Sequence, residues 1–208
     1  MKILIISATA LEIEPFVAFN KNVEILITGV GAPACMYALT KKLQNNRYDF
    51  VIQAGIAGTF KTNFALGETF IVHQDVYADL GISENETFYT LFDTGFADAN
   101  IAPYKNGWLV NEGIIHVGLP LAKSITVNTV SDSFDTTEMY KRKFDADIES
   151  MEGAAFHYVC LQENIPFLQI RSISNFVGER LKTNWKIKEA IESLNTNLRE
   201  VVEVLLKE

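Results

Sequence analysis

Apolar residues along the chain gather into short β-branched runs. These alternate with longer stretches in which apolar residues recur every three or four positions. The short runs Lys2–Ser7, Val23–Thr28, Phe50–Ala54, Thr69–Gln74, Ile114–Val117, Ser124–Thr129 and Phe167–Ile173 read as strands. The longer stretches Pro33–Gln44, Thr136–Lys143, Glu152–Glu163 and Trp185–Lys207 read as helices. The last shows its face most plainly: Ile187, Ile191, Leu194, Leu198, Val201, Val202 and Leu205 form one apolar stripe suited to packing on a sheet. Strands that are apolar on both faces and interleaved with helices predict an α/β fold with a largely parallel or mixed sheet. No repeat, low-complexity tract or linker divides residues 1–208, so a single domain is expected. Asp75–Gly113 departs from the pattern, with Tyr77, Phe88, Tyr89, Phe92, Phe96, Tyr104 and Trp108 among many Gly, Asn and Asp residues. Such a segment suits a pocket wall, a subunit interface or a surface excursion.

Charge narrows the class of partner. The formal net charge is −8 and the sequence pI about 5.0, a balance that argues against a nucleic-acid backbone or an anionic membrane surface and favours a small-molecule ligand. The opening run MKILIISATA is too short for the apolar core of a signal peptide, and no stretch reaches the length of a membrane span. A cytoplasmic location is the expectation. Cys35 and Cys160 stand far apart on helical faces and read as small buried apolar residues. His73, His116 and His157 are scattered outside any metal-binding spacing, so neither a metal nor a cofactor is expected.

In open α/β sheets ligands bind beyond the carboxyl ends of the strands. There this chain delivers SATALEIEP with Glu12 and Glu14, TGVGAPA, AGIAGT, NTVSDSF and RSISN, while DADIESMEGAAF brings Glu149 and Glu152 ahead of a helix. Gly29-Val30-Gly31-Ala32-Pro33-Ala34 fits a loose dinucleotide-binding pattern, but the next strand ends in Gln53 and Gly55 and lacks the acid that would hold a ribose. Its glycines then serve tight turns. Glu152 beside Met151 and a run of small residues reads either as a helix N-terminal cap or as a functional acid. The acids gain weight from Asn175, which ends an otherwise apolar strand.

The stretches MKILIISATALEIEPF, TGVGAPACMYAL, QAGIAGTF, LGETFIV, SMEGAAFHYVC and IRSISNFVG resemble, in order, the motifs of the purine nucleoside phosphorylase and nucleosidase superfamily, across nearly the whole chain. The resemblance implies a three-layer αβα fold with a central mixed, partly barrel-like sheet. It also implies cleavage of a purine N-glycosidic bond and a homo-oligomer. Within the superfamily the chain looks like a nucleosidase, because Glu12 and Glu14 stand where phosphorylases carry a phosphate-binding loop. The methylthioadenosine/S-adenosylhomocysteine nucleosidases have a similar start but end the last motif in Ser-Asp, where this chain has Ser174-Asn175; they also commonly carry Ser where this chain has Ile56.

The resemblance assigns roles residue by residue. Glu12 is the general base on water, Glu152 binds the ribose hydroxyls, and Asn175 contacts the base. Met151 packs on the sugar, Phe134 stacks on the purine, Arg171 orients Glu152, and Ser174, Ala57 and Gly58 complete the substrate site. Asn175 suits a 6-oxopurine such as hypoxanthine: its amide N–H donates where an ionised Asp would repel the O6 lone pairs. Arg180 and Lys182 are candidates for an acidic group elsewhere on the substrate. Two other readings are an adenine-releasing nucleosidase that tolerates Asn and a non-catalytic nucleoside-binding protein. Retention of both Glu12 and Glu152 argues against the second.

Overall fold

A computed structural model describes residues 1–18 and 23–207. The strands are β1 (Ile3–Ser7), β2 (Glu24–Ile27), β3 (Phe50–Thr59), β4 (Thr69–Asp75), β5 (Gly81–Glu84), β6 (Thr87–Thr90), β7 (Tyr104–Lys105), β8 (Trp108–Val110), β9 (Leu121–Thr126), β10 (Ile148–Ser150) and β11 (Phe167–Phe176). The helices are α1 (Ala10–Val17), α2 (Ala32–Asn45), α3 (Phe134–Phe144), α4 (Gly153–Gln162) and α5 (Ile187–Leu205), with a 3-10 turn at Lys182–Asn184.

β1 explains the apolar run at the start of the chain. Every residue of it is buried, and its side chains alternate between two cores. Ile3 and Ile5 face α1 and α5 with Phe16, Leu194 and Leu198, whereas Leu4 and Ile6 face α2 and α4 with Leu39, Phe156 and Val159. A strand covered by helices on both sides has no polar face to show. This is the αβα layering expected from the sequence.

The sheet is mixed and curls into a ring. β3 pairs with β10, β10 with β9, β9 with β4, β4 with β11, and β11 returns to β3. Ala57, Phe70, Ala122, Ile148 and Ile173 supply one buried apolar residue from each of those strands, giving the ring its own packed core. β1 and β2 extend the sheet from β3, and β8 and β7 extend it from β4. The partly barrel-like sheet is thus present. Tyr140 and Phe144 of α3 pack on Ile125 and Val127.

Several elements depart from the sequence expectation. Ile114–Val117 is not a strand: Ile114, Ile115 and Val117 press on the core beside α1 and α5, but the segment forms no ladder between Gly113 and Gly118. Its apolar character reflects one-sided packing. α1 and β10 were not anticipated, because each is short and encloses acidic residues. β3 and β11 run on past the expected Ala54 and Ile173 to Thr59 and Phe176. The aromatic segment folds into two small hairpins, β5–β6 and β7–β8, with Phe92 and Tyr104 ring centroids 5.0 Å apart. Cys35 and Cys160 are buried and free on α2 and α4, and burial pushes the Cys35 thiol up to about 12. No described helix is long and apolar enough to cross a membrane.

Candidate active site

The carboxyl ends of β1, β3, β10 and β11 open on a cavity of about 290 Å³, lined by Glu12, Ile56, Ala57, Gly58, Glu149, Met151, Glu152, Ser174, Asn175 and Trp185 among others. Glu12 enters it from the first turn of α1. One carboxylate oxygen accepts the Thr9 N–H at 3.0 Å, the Thr9 hydroxyl at 2.9 Å and the Ser7 hydroxyl at 3.3 Å; the other accepts the Ile56 N–H at 3.2 Å. Glu14, two residues on, points out of the helix into solvent. A step of two residues turns a helix by more than half a revolution, so only one of these acids reaches the cavity.

Glu152 stands at the N-terminus of α4 but does not cap it. The first N–H groups of α4 are met elsewhere: Gly153 N–H by the Ser150 hydroxyl at 3.2 Å and Ala154 N–H by the Thr126 hydroxyl at 2.7 Å. Released from that task, Glu152 Oε1 accepts the Gly31 N–H at 2.9 Å and Oε2 lies 3.6 Å from Arg171 Nη1. Gly31 has φ +93°, a conformation that favours glycine, and so aims its N–H at the acid. Arg171 is 1 % exposed and also donates from Nη1 to the Ile56 carbonyl at 3.4 Å. The Ile56 backbone thus touches both halves of the site, Glu12 through its N–H and Arg171–Glu152 through its carbonyl. The isoleucine side chain plays no part in that link, so the absence of Ser at this position leaves the Glu12 contact in place.

Asn175 comes from β11 through an irregularity. Ile173 pairs with Ala57 and Asn175 with Gly58, which leaves Ser174 as an extra residue. Such a bulge lets consecutive side chains turn to one side, and both Ser174 and Asn175 line the cavity. Asn175 Nδ2 donates to the Phe176 carbonyl at 3.0 Å, while Oδ1 accepts the Ser174 hydroxyl at 2.8 Å. A carbonyl can only accept, so the Phe176 contact sets the amide's orientation and leaves its second N–H for a ligand. Ser174 Oγ also lies 3.2 Å from the Ala57 carbonyl.

The structure brings Glu12, Glu152, Asn175, Met151, Ser174, Ala57 and Gly58 together around the cavity, with Arg171 directly behind. It does not bring Phe134 there. Phe134 is the first residue of α3, its ring is 76 % exposed, and Val130 lines the wall instead. Arg180 lies over the Trp185 ring, 5.9 Å from its centroid, and Trp185 in turn lines the cavity; Lys182 is exposed in the 3-10 turn.

Two contributors escaped the sequence reading. Asn195, buried on α5, donates to the Glu12 carbonyl at 2.8 Å and accepts the Phe16 N–H at 2.9 Å, fixing α1. A polar residue in an apolar stripe was the available signal. Glu149, in the sequence an acid ahead of a helix, is a buried β10 residue of the cavity wall. Behind the site a polar cluster joins Asp75, Thr126 and Gln169, where burial raises the Asp75 carboxyl to about 6. His157 donates its Nδ1–H to the Leu109 carbonyl at 2.9 Å, and burial lowers the imidazole to about 3, so it is neutral. Among the described residues no cluster of His, Cys, Asp and Glu has the makings of a metal site.

The sequence profile of the phosphorylase superfamily matches residues 16–207, and the chain belongs to that family. It is 30 % identical over 184 residues to the futalosine hydrolase of Thermus thermophilus, covering 85 % of this chain and 80 % of that protein. The futalosine hydrolase of Streptomyces coelicolor is 28 % identical over 88 % of this chain and 79 % of its own length. A 5'-methylthioadenosine/S-adenosylhomocysteine nucleosidase of Oceanobacillus iheyensis is 24 % identical over 77 % of this chain and 71 % of its own. Among solved structures, the native futalosine hydrolase of Helicobacter pylori superimposes with a TM-score of 0.79 at 17 % identity, covering 98 % and 97 % of the two chains.

Proposed function

We propose that the protein is a nucleosidase that hydrolyses the N-glycosidic bond of futalosine and releases hypoxanthine, a step in menaquinone biosynthesis. The observation that carries the reading is Asn175. Its amide offers an N–H into a cavity that also holds Glu12 and Glu152.

Glycosidic cleavage passes through a ribosyl cation with oxocarbenium character. Glu152, aimed into the cavity beside Met151, binds ribose hydroxyls, and its charge favours that cation. Asn175 donates to the departing 6-oxopurine and stabilises the negative charge that gathers on it. Glu12 takes a proton from the attacking water. Its carboxylate is held from four donors, so the base is fixed in place before substrate arrives. The same carboxylates disfavour phosphate as nucleophile, since an anion there would meet Glu12 and Glu152 together. Arg171 is a positioning residue: it holds Glu152 from behind.

The second reading is an adenine-releasing nucleosidase, supported by relatives such as the Oceanobacillus iheyensis protein. We further propose that the enzyme is a cytoplasmic homo-oligomer. An apolar surface cleft lined by Pro33, Met36, Tyr77, Leu80, Tyr104 and Tyr158 supports self-association, which analytical ultracentrifugation tests.

The deciding assay is incubation of the purified protein with futalosine, aminodeoxyfutalosine, methylthioadenosine and inosine without phosphate, with free base followed by chromatography. Hypoxanthine from futalosine is the expected result. Adenine from methylthioadenosine would establish the second reading, and release that requires phosphate would make the enzyme a phosphorylase. Nucleoside binding with no release of base would indicate a binding protein.

A further inference from the structure

Glu149 has a position that the mechanism above does not use. It is 7 % exposed, yet it lines the cavity, and among the described residues no side chain or backbone group donates a hydrogen bond to its carboxyl. The charged and titratable groups around it offer no cation: Asp79 repels it, and Tyr140 faces it from α3. Its oxygens keep access to the open cavity, so a ligand there can supply the donor that the described protein groups do not.

The sheet register sets what lies beside the Glu149 carboxyl. Gly58 on β3 is paired with Glu149 of β10 on one side and with Asn175 of β11 on the other. The two side chains therefore flank one glycine in a single row across three strands, about 10 Å apart at their Cα atoms by two strand spacings. A Cβ at Gly58 would come within 3.3 Å of Asn175 Nδ2 and 3.0 Å of Val177 Cγ2, so glycine keeps the space between the acid and the amide open. One side of that gap offers an N–H donor and the other an acceptor.

We propose that Glu149 is the second base-reading residue of the site, and that its carboxylate accepts the N1–H of a 6-oxopurine while the Asn175 amide donates on the O6 side. The inference rests on the 6-oxopurine reading and names the group that enforces it. Hypoxanthine has a donor at N1 beside an acceptor at O6, matching the pair. Adenine reverses both: its 6-amino group would face the Asn175 N–H, and its N1 lone pair would face the carboxylate. A buried site that loses both hydrogen bonds discriminates strongly. Ribose is the less suitable partner for Glu149, because Glu152 and Met151 already attend the sugar side and Glu149 shares its row with the base-contacting amide.

The test compares binding of hypoxanthine and 1-methylhypoxanthine by calorimetry to the wild type, Glu149→Leu and Glu149→Gln. The methyl group replaces the N1–H and adds bulk that Leu and Gln meet alike, so the difference between those two variants reports the hydrogen bond. The wild type is expected to favour hypoxanthine at least tenfold. The Leu variant should lose that gap, and the Gln variant, whose amide oxygen still accepts, should restore part of it. A structural role would weaken both bases alike and leave the ratio unchanged, which overturns the proposal. If the Leu variant does not fold, the wild type and the Gln variant decide: equal affinity of the wild type for the two bases, or a gap that the Gln variant leaves wholly unchanged, refutes the contact. Failure of the 6-oxopurine reading looks different, since the wild type would then release adenine and bind it in preference to hypoxanthine.

Discussion

Asn195 on α5 donates to the backbone carbonyl of Glu12 at 2.8 Å, although 183 residues separate them. The same amide accepts the Phe16 N–H. The first and last helices are therefore joined at Glu12, the proposed general base. Replacing Asn195 by Ala leaves a buried N–H and a buried carbonyl without this partner. The expected cost is about 2–4 kcal/mol of stability from two orphaned groups. A fall in kcat larger than the rise in KM should accompany it, because the substrate still binds while α1 is no longer held. Denaturant unfolding and steady-state kinetics check both parts.

Glu12→Gln keeps the size of the side chain and removes its basicity. Loss of a positioned general base reduces turnover by about 10²–10⁴-fold. The affinity for a non-hydrolysed nucleoside should change little. An equal loss of turnover and of binding would deny Glu12 the role of base.

Gly55 lies where Arg171 and Glu12 approach β3. A Cβ there would collide with Arg171 Nη1 and come within 3.2 Å of Glu12 Oε1. Gly55→Ala should therefore displace the guanidinium that backs Glu152, destabilise the fold by about 1–3 kcal/mol through overpacking, and reduce kcat. If activity and melting temperature both stayed at wild-type values, the close approach described here would be incorrect.

Burial, with a smaller contribution from Asp79, raises the Glu149 carboxyl from 4.5 to about 7. A folded-state value above the unfolded one means that the native protein holds this proton more tightly. The contribution to stability is complete below pH 4.5 and is lost as the pH rises through about 7. Glu149→Gln removes that loss. Relative to wild type, the variant should gain stability between pH 4.5 and 8, by at most roughly 3 kcal/mol for a shift of this size. The raised carboxyl of Asp75 is present in both proteins and cancels. Urea titrations at several pH values measure the difference, and a difference independent of pH would contradict the account.

The layered fold could be read from the chain because burial on both faces leaves a direct trace, as in the unbroken run Ile3–Ser7. The residues that line the cavity could be picked out for a related reason: an acid or amide at the end of an apolar run, such as Glu12 or Asn175, interrupts the apolar pattern just where the strand ends. What could not be read depends on partners distant in sequence. Ile114–Val117 is apolar because it rests on the core beside α5, which looks the same as a strand in one dimension. Glu14 resembles Glu12 until the helix turns it outward. That Glu152 is spared from capping depends on Thr126 and Ser150, and that Glu149 lies in one row with Asn175 depends on the pairing of both with Gly58. None of these relations leaves a local pattern.

The central claim is that Asn175 selects a 6-oxopurine for hydrolysis, and one pair of rates tests it most directly. The measurement is kcat/KM for futalosine and for aminodeoxyfutalosine, without phosphate, in the wild type and in Asn175→Asp. The account predicts that the wild type prefers futalosine and that the substitution moves the ratio toward the 6-amino substrate by about 10²-fold or more, the scale on which a hydrogen-bonding site rejects a mismatched partner. A wild type that prefers the 6-amino substrate, or a ratio that the substitution leaves unchanged, would contradict it.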